Sequence, residues 1–336
     1  MATLDVFKQR AFHMVELTAA LNKQPYLPQL LGSLNLFETR PVRTTTVAIE
    51  QKNGNLNIIA TSPRGAPLQR NEQEKRDIRD FRTVRIAQGD RITADEIQDI
   101  RAFGSETEMM QVQQEVADRL RQLRRNVEIT HERMRLGAIK GQVLDKDDTV
   151  IKNWFTEWGV SQPAEVDFAL GTEGTDVRGK CSQIVRAMAK AAQGLWTPAT
   201  EVHAVVGHEF YDALSNHPRV RETFLNWSAA ADLREGAAFS AFPFGGIMWH
   251  DYRGSDDGSK VAVAADKAHF FPVNAPGAFQ VALSPAETFD FANTRGQEVY
   301  AMVIPDEKRN AFVDVEVYSY PLHICTRPKM LQRAGA

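Results

Sequence analysis

The chain has 336 residues, 43% hydrophobic and 25% charged, enough for one large or two ordinary domains with a substantial core. Forty basic against 43 acidic side chains leave a formal charge of -3, so nothing in the overall balance draws the chain onto nucleic acid or an anionic membrane. Two cysteines, Cys181 and Cys325, are too few and too distant for a disulfide framework, no run is apolar for the length of a membrane span, and the charged start MATLDVFKQR lacks a signal-peptide core, which together predict a chain that is cytoplasmic when made.

Residues 1 to 22 carry apolar side chains at helical spacing (Phe7, Phe12, Val15, Leu17, Leu21), and Pro25 and Pro28 stop the pattern, which predicts an N-terminal arm. From Arg43 to Ser62 two alternating runs meet at Asn53-Gly54, a pair suited to the type I′ turn of a tight hairpin. A stretch rich in glycine, proline and charge follows and gives way to a short alternating run ending at Ile86. By composition this stretch is a surface loop, and by length it could project and dock onto a neighbour.

Residues 103 to 141 read as one amphipathic helix of about ten turns, roughly 50 Å long at 1.5 Å per residue. Met109, Val112, Val116, Leu120, Leu123, Val127, Met134 and Ala138 recur at spacings of three and four, with the remaining gap bridged near Thr130 and His131. The opposite face (Glu115, Asp118, Arg119, Arg121, Arg124, Arg125, Glu128, Glu132, Arg133, Arg135) reads as solvated and laced with ion pairs. A helix of this length belongs to a coiled coil or to the backbone of a plate-like subunit. The break near Thr130 interrupts the heptads that a coiled-coil adaptor would need.

After the helix, GQVLDKDDTVIKNWF predicts a hairpin turning at Asp145 to Asp148, EVDFAL a short strand, and Asp176 to Gln193 a helix, with Trp196, Thr197 and Pro198 marking a boundary. Strands are then expected at VHAVVG, GGIMWHDYRG, VAVAAD and AHFFPV, with helical sequence at HEFYDALSNHPRVRETFLNW, a mixed pattern that predicts a compact α/β or α+β domain to about Pro305. From Asn310 the tail AFVDVEVYSYPLHICTRP reads as one long alternating strand. Val313, Val315 and Val317 are its better core face, and its partner is expected to be distant.

Residues 174 to 181, GTDVRGKC, match a phosphate-binding loop except that Cys181 stands where a magnesium-holding serine or threonine belongs. A nucleotide-binding enzyme built on this loop is therefore the alternative to a structural role. His203 and His208 bracket a strand instead of sharing a helix face, so no metal site is expected, and His250, Asp251 and Tyr252 are not singled out for acid–base work by their spacing. No catalytic residue and no cofactor is expected.

The order of parts resembles the major capsid protein E family of tailed phages, the lambda-type head proteins. The carrying segments are LTAALNKQPYLPQLLGSLNLFETRPVRTTTVAIEQKNG, RGAPLQ with NEQEKRDIRDFR, ITADEIQDIRAFGSE, RLGAIKGQVLD, VDFALGTEGTDVRGKC, HPRVRETF, FGGIMWHDYRG and PLHICTRP, together spanning about residues 17 to 330. The resemblance implies an α+β, Hong Kong ninety-seven type capsid fold. It places an N-terminal arm at 1–41, an extended E-loop at 42–98, a peripheral domain at 99–196 plus 310–336 with its spine helix at 103–141, and an axial domain at 197–309. It also implies a homo-oligomer of pentamers and hexamers enclosing double-stranded DNA by non-specific proximity, with scaffold, portal and decoration proteins as further partners. The chain would be found in the virion, and in the host cytoplasm during assembly. Arg64, Arg70, Arg76, Arg79 and Arg82 of the loop, with Phe7 and Phe12 of the arm, are the candidate assembly contacts.

Overall fold

The computed structural model describes residues 14, 17, 18, 30–51, 77–98, 108–225, 241–252, 261–309 and 311–336. In chain order they form α1 (Leu30–Ser33), β1 (Glu38–Pro41), β2 (Thr46–Gln51), β3 (Asp77–Arg82), β4 (Ile86–Thr93), α2 (Ala94–Gln98), α3 (Glu108–Lys140), β5 (Gln142–Leu144), β6 (Val150–Asn153), α4 (Trp154–Glu157), β7 (Val166–Asp167) and α5 (Val177–Ala191). Then follow β8 (Glu201–Val206), α6 (His208–Asn216), α7 (Pro218–Leu225), β9 (Phe242–Phe244), β10 (Ile247–Asp251), β11 (Lys267–Val273), β12 (Phe279–Leu283), β13 (Tyr300–Pro305), β14 (Phe312–Ser319), β15 (Pro321–Cys325) and β16 (Gln332–Gly335).

The 33 residues of α3 are a helix for the reason the spacing gives. Val116, Leu120, Leu123 and Val127 are buried over the three-stranded sheet β13-β14-β4, against Ile92, Val313, Val315 and Val317. Each such side chain contributes about 1.5–3 kcal/mol. The gap in the stripe is filled by His131, whose Nε2 lies 2.9 Å from Ser319 Oγ. Beyond it Met134, Leu136, Ala138 and Ile139 enter a second core with Phe81, Trp154, Phe155 and Ile324. Gly137 lets the helix close on β5, because a Cβ there would sit 2.7 Å from the Gln142 carbonyl oxygen and 2.9 Å from Val143 Cα. Gly141, at φ +82°, ends the helix in the left-handed conformation that favours glycine.

The expected solvated face of this helix needs correction along its C-terminal part. Arg124, Glu128 and Glu132 are buried, the first two as an ion pair at 2.8 Å, since chain packs on more than one side of the helix there. Residues 103–107 lie outside the described residues.

The strand expected to begin the first hairpin forms as β2, but its described partner is β3, paired antiparallel with Val47 opposite Phe81. Asn53-Gly54 and the second run lie outside the described residues. The hairpin at Asp145–Asp148 is present as β5–β6. VAVAAD is not a strand. Val261 and Val263 are buried in irregular chain whose carbonyls accept from Lys140 Nζ and from the Phe210 and Lys267 amides. The tail is not one strand either: β14 lies between β13 and β4, while after Tyr320 β15 joins β12 in the sheet β1-β12-β15. Its partners are thus both near, in β13, and distant, in β4.

The second layer is the sheet β7-β16-β11-β8-β10-β9, with Phe168, Cys181, Ile184, Met188, Phe210 and Trp249 in one core. The expected boundary at 196/197 runs through this core, since α5 packs with β8 and α6, and the boundary near 310 separates β13 from its sheet partner β14.

Candidate assembly surfaces

The β2–β3 ladder is anchored by Val47, Ile49 and Phe81, all buried. Phe81 meets Trp154 and Trp158 edge-on at 5.4 and 5.8 Å between ring centroids. Of the candidate contacts, Arg79 is half-buried with its guanidinium 5.7 Å from the centre of the Trp158 ring, so it packs on its own subunit, while Arg82 is exposed. Arg64, Arg70, Arg76, Phe7 and Phe12 lie outside the described residues. Nearer the start, Thr18 Oγ1 accepts from Ala301 N at 3.0 Å and donates to the same residue's carbonyl, covering the outer edge of β13.

Charged side chains hold the long helix and its sheet in register. Arg119 bonds Asp90 at 2.7 Å, Glu115 at 2.8 Å and Glu96 at 3.2 Å, tying α3 to β4 and α2. Arg91 forks onto Asp314 at 2.7 and 3.1 Å across β4 and β14. Exposed pairs of this kind are worth about 0–1 kcal/mol each, so they set alignment more than strength.

Under the middle of α3 runs a buried polar seam, made of Glu132, which the spacing puts on the outer face, and His131, which it puts in the gap of the apolar stripe. The Glu132 carboxylate accepts from the Leu31 and Gly32 amides at 2.8 and 3.1 Å, satisfying donors at the start of α1, and from the Tyr252 hydroxyl at 3.3 Å. Burial raises its pKa against those hydrogen bonds. His131 stands edge-on to His323 at 5.4 Å, and both rings are fully enclosed. Burial, with a smaller contribution from the Arg135 charge, pushes His131 down to about 3 and holds His323 well below its ordinary value. Among the described residues neither ring nitrogen of His323 finds a hydrogen-bond partner.

Among the described residues, the large apolar side chains exposed on the surface are Phe289, Val150, Ile304 and Ile129. Phe289 is 102% exposed, at the start of a single 3-10 turn (Phe289–Phe291) between Glu287 and Asp290. Ile129 opens into a cleft of about 570 Å³ floored by Ile86, Val127 and Met134 and rimmed by Arg85, Arg133, Lys146 and Asp145. A second cleft, about 540 Å³, lies between α1, β1 and α3, with Arg135 and Glu298 on its wall.

The glycine–lysine loop is built as a capped helix start. Asp176 accepts from Gly179 N at 2.9 Å, and Lys180 Nζ donates to the Asp167 carbonyl at 2.6 Å, so a phosphate would have to displace the Asp176 carboxylate from the end of α5. Burial pushes the Cys181 thiol up to about 12. His203 faces His250 on the neighbouring strand at 2.9 Å, whereas His208 is exposed at the start of α6. Among the described residues no three His, Cys, Asp or Glu side chains gather as a metal site, and no helix is long and apolar enough to cross a membrane.

The family model described as phage major capsid protein E matches residues 13–336. The major capsid protein of Salmonella phage Felix O1 is 26% identical over 95% of each chain, and that of Pseudomonas phage KPP10 is 26% identical over 98% of each. Among solved structures, a prophage protein of Escherichia coli CFT073, described as a capsid protein, superposes with a TM-score of 0.56 at 15% identity, covering 96% of this chain and 98% of its own.

Proposed function

The chain belongs to the phage major capsid protein E family, a structural major capsid protein of a tailed phage that self-assembles into an icosahedral shell, and from that membership we propose how its parts divide the work. The match across residues 13–336 carries this reading. In it α3 is the spine helix, and the sheet β13-β14-β4 with α3 is the peripheral body. The six-stranded sheet with α5, α6 and α7 is the axial body, and the β2–β3 ladder is the root of the extended loop. Residues 1–41 serve as an arm.

Assembly is then repeated contact between copies in which the rotation from one to the next closes rings of five and six. The arm and loop add buried area without enlarging the core. Arg82 and the loop arginines set register on acidic neighbours. The role is structural and not catalytic. Scaffold, portal and decoration proteins and packaged double-stranded DNA are the other partners, met in the virion and in the host cytoplasm during assembly. The near-neutral charge suits a wall along which DNA slides, because strong phosphate neutralisation would hold it.

The test is to express the chain alone and examine it by negative-stain electron microscopy and light scattering. Closed shells or five- and six-membered rings are expected. Deletion of residues 63–75 should leave folded subunits unable to close shells, and normal shells from that deletion would overturn the role given to the loop. A parent chain that stays monomeric both alone and in an extract of phage-infected cells would overturn the assembly reading itself.

A further inference from the structure

We propose that residues 30–41 form a strap that lifts when the two histidines beneath it, His131 and His323, take up protons, while the rest of the subunit stays folded. Both rings are enclosed where α3 packs on β15. Ser319 gives its own proton to the Glu298 carbonyl at 2.6 Å, so its oxygen accepts from His131 Nε2 at 2.9 Å and that ring is satisfied while neutral. His323 finds no polar partner among the described residues. A proton added to either ring is a charge cut off from water, which is costly unless it is paired.

The described surroundings do not pair it. On α3, Arg135 adds a like charge, and Glu128 is taken by Arg124. The Glu132 carboxylate is already shared among the Leu31 and Gly32 amides, the Tyr252 hydroxyl and Arg135. β12 brings no titratable side chain, and β15 brings, besides His323, only the Cys325 thiol, which burial keeps neutral by pushing it up to about 12. β14 presents Ser319, with Tyr318 and Tyr320 on its opposite face. Glu38 and Arg40 of β1 pair with each other at 3.5 Å, on the face away from Thr39 and Pro41. Glu298, on the wall of the cleft that His131 lines, is exposed. Burial above all holds both rings well below their ordinary value.

Of the elements over the pair, the strap is the one that can yield. β12 and β15 are buried at every residue, and this part of α3 sits in the core. Residues 30–41 hold on by one turn of helix, a four-residue ladder of β1 with β12 in which β1 is exposed throughout, and a single fully buried side chain, Leu31. Phe37 of the strap stands edge-on to His323 at 5.2 Å. The cleft of about 540 Å³ already parts the strap from α3 at His131 and Arg135, so lifting the strap brings water to both rings.

A ring that meets water titrates near 6.5. Between pH 7 and pH 5 the lifted form binds protons that the closed form refuses, and it gains roughly 25-fold for one ring and roughly 600-fold for two. The strap is therefore held fully above about pH 6.5 and loses its hold as pH falls toward the folded values. Amide exchange reads such an opening even as a minor population. The consequence for assembly rests on the arm reading above: lifting its root frees the arm from its own subunit. The strap itself does not depend on that reading.

The experiment is amide exchange, read by mass spectrometry on the unassembled full-length subunit at pH 7 and pH 5 and corrected for the intrinsic rate at each pH. Protection of residues 30–36 should fall by roughly 600-fold, with β8 and β11 of the same molecules better protected than the strap at both pH values. His131→Gln, whose amide can still donate to Ser319, should leave only the roughly 25-fold fall of one ring. His323→Leu, which removes a ring with no hydrogen bond to lose, should do the same, and the double variant should show none of the fall. If the His323 variant does not fold, His131→Gln alone decides between the two factors. A fall that keeps its full size in these variants assigns the release to protonation of Glu132 and overturns the proposal. So does a strap no less protected than β8 and β11, because the opening is then global.

Discussion

Acidification should loosen this subunit through its buried histidines, by an amount that can be worked out. His131 and the half-buried His269 are held down at about 3 and His250 at about 4, in each case chiefly by loss of solvent around the ring. An unfolded histidine titrates near 6.5. At pH 7 both states are neutral and nothing is lost. Below about 6.5 the unfolded chain takes up protons that the folded one refuses, so stability falls with pH throughout the window from 6.5 down to the folded values. At pH 5 the interval is one and a half units, or about 2 kcal/mol per ring at 1.36 kcal/mol per unit, and about 6 kcal/mol for the three. That is comparable to the whole stability of many domains, about 5–15 kcal/mol. Glu128 and Glu132, whose pKa values burial raises, act in the opposite sense, gaining stability as pH falls through their range. The comparison that isolates one ring is urea unfolding of the unassembled subunit at pH 7 and pH 5, for the parent and for His131→Gln. The glutamine amide can still bond Ser319, but it does not titrate. The variant should lose about 2 kcal/mol less than the parent between the two pH values. An equal loss in both would show that His131 is not excluded from protons in the folded state, and would refute the reasoning.

Three substitutions follow from the packing. Gly137→Ala should destabilise by about 1–3 kcal/mol in thermal unfolding, although alanine is the better helix former by about 1 kcal/mol, because its Cβ meets the backbone of β5. Glu132→Ala should cost about 2–5 kcal/mol by leaving the Leu31 and Gly32 amides without their acceptor, and amide exchange at those two residues should speed up more than elsewhere. Phe81→Ala should cost about 3–5 kcal/mol and make β3 the first site cut in limited proteolysis, since this ring pins the ladder to Trp154 and Trp158.

What was legible in the chain was what a local period could carry. The stripe from Val116 to Ala138 announces α3, the acidic turn at Asp145–Asp148 announces β5–β6, and the valines at 313, 315 and 317 point to the core face they occupy. Pairing between distant segments was not legible. Asn53-Gly54 draws attention to a local hairpin, while the partner that β2 is seen to take lies across a long connection, at Asp77–Arg82. The division of the tail had a visible cue in Pro321, which lacks an amide donor, yet alternation alone made the two strands look continuous. The strand β16 has almost no signal: Gln332, Arg333, Ala334 and Gly335 are poor strand formers, kept in place by β7 and β11 on either side. The polar seam failed for another reason. Glu132 looks like a surface residue until α1 folds over the helix, and His131, which bridges the gap in the apolar stripe, meets its partner Ser319 only when β14 is in place.

The pairings of β1 with β12 and of β4 with β14 also set a clock. Ile86–Thr93 waits for Phe312–Ser319, and Glu38–Pro41 for Gln280–Leu283. At roughly 5–20 residues per second of synthesis, the last residue of β14 follows the last of β4 by roughly 10–45 s. Throughout that delay the α3 stripe has, within the sheet, only Ile92 of β4 to close upon, because Val313, Val315 and Val317 are not yet made. Topologies of this kind also fold slowly once complete. A nascent subunit thus carries that half-covered apolar stripe for tens of seconds before its sheet can close.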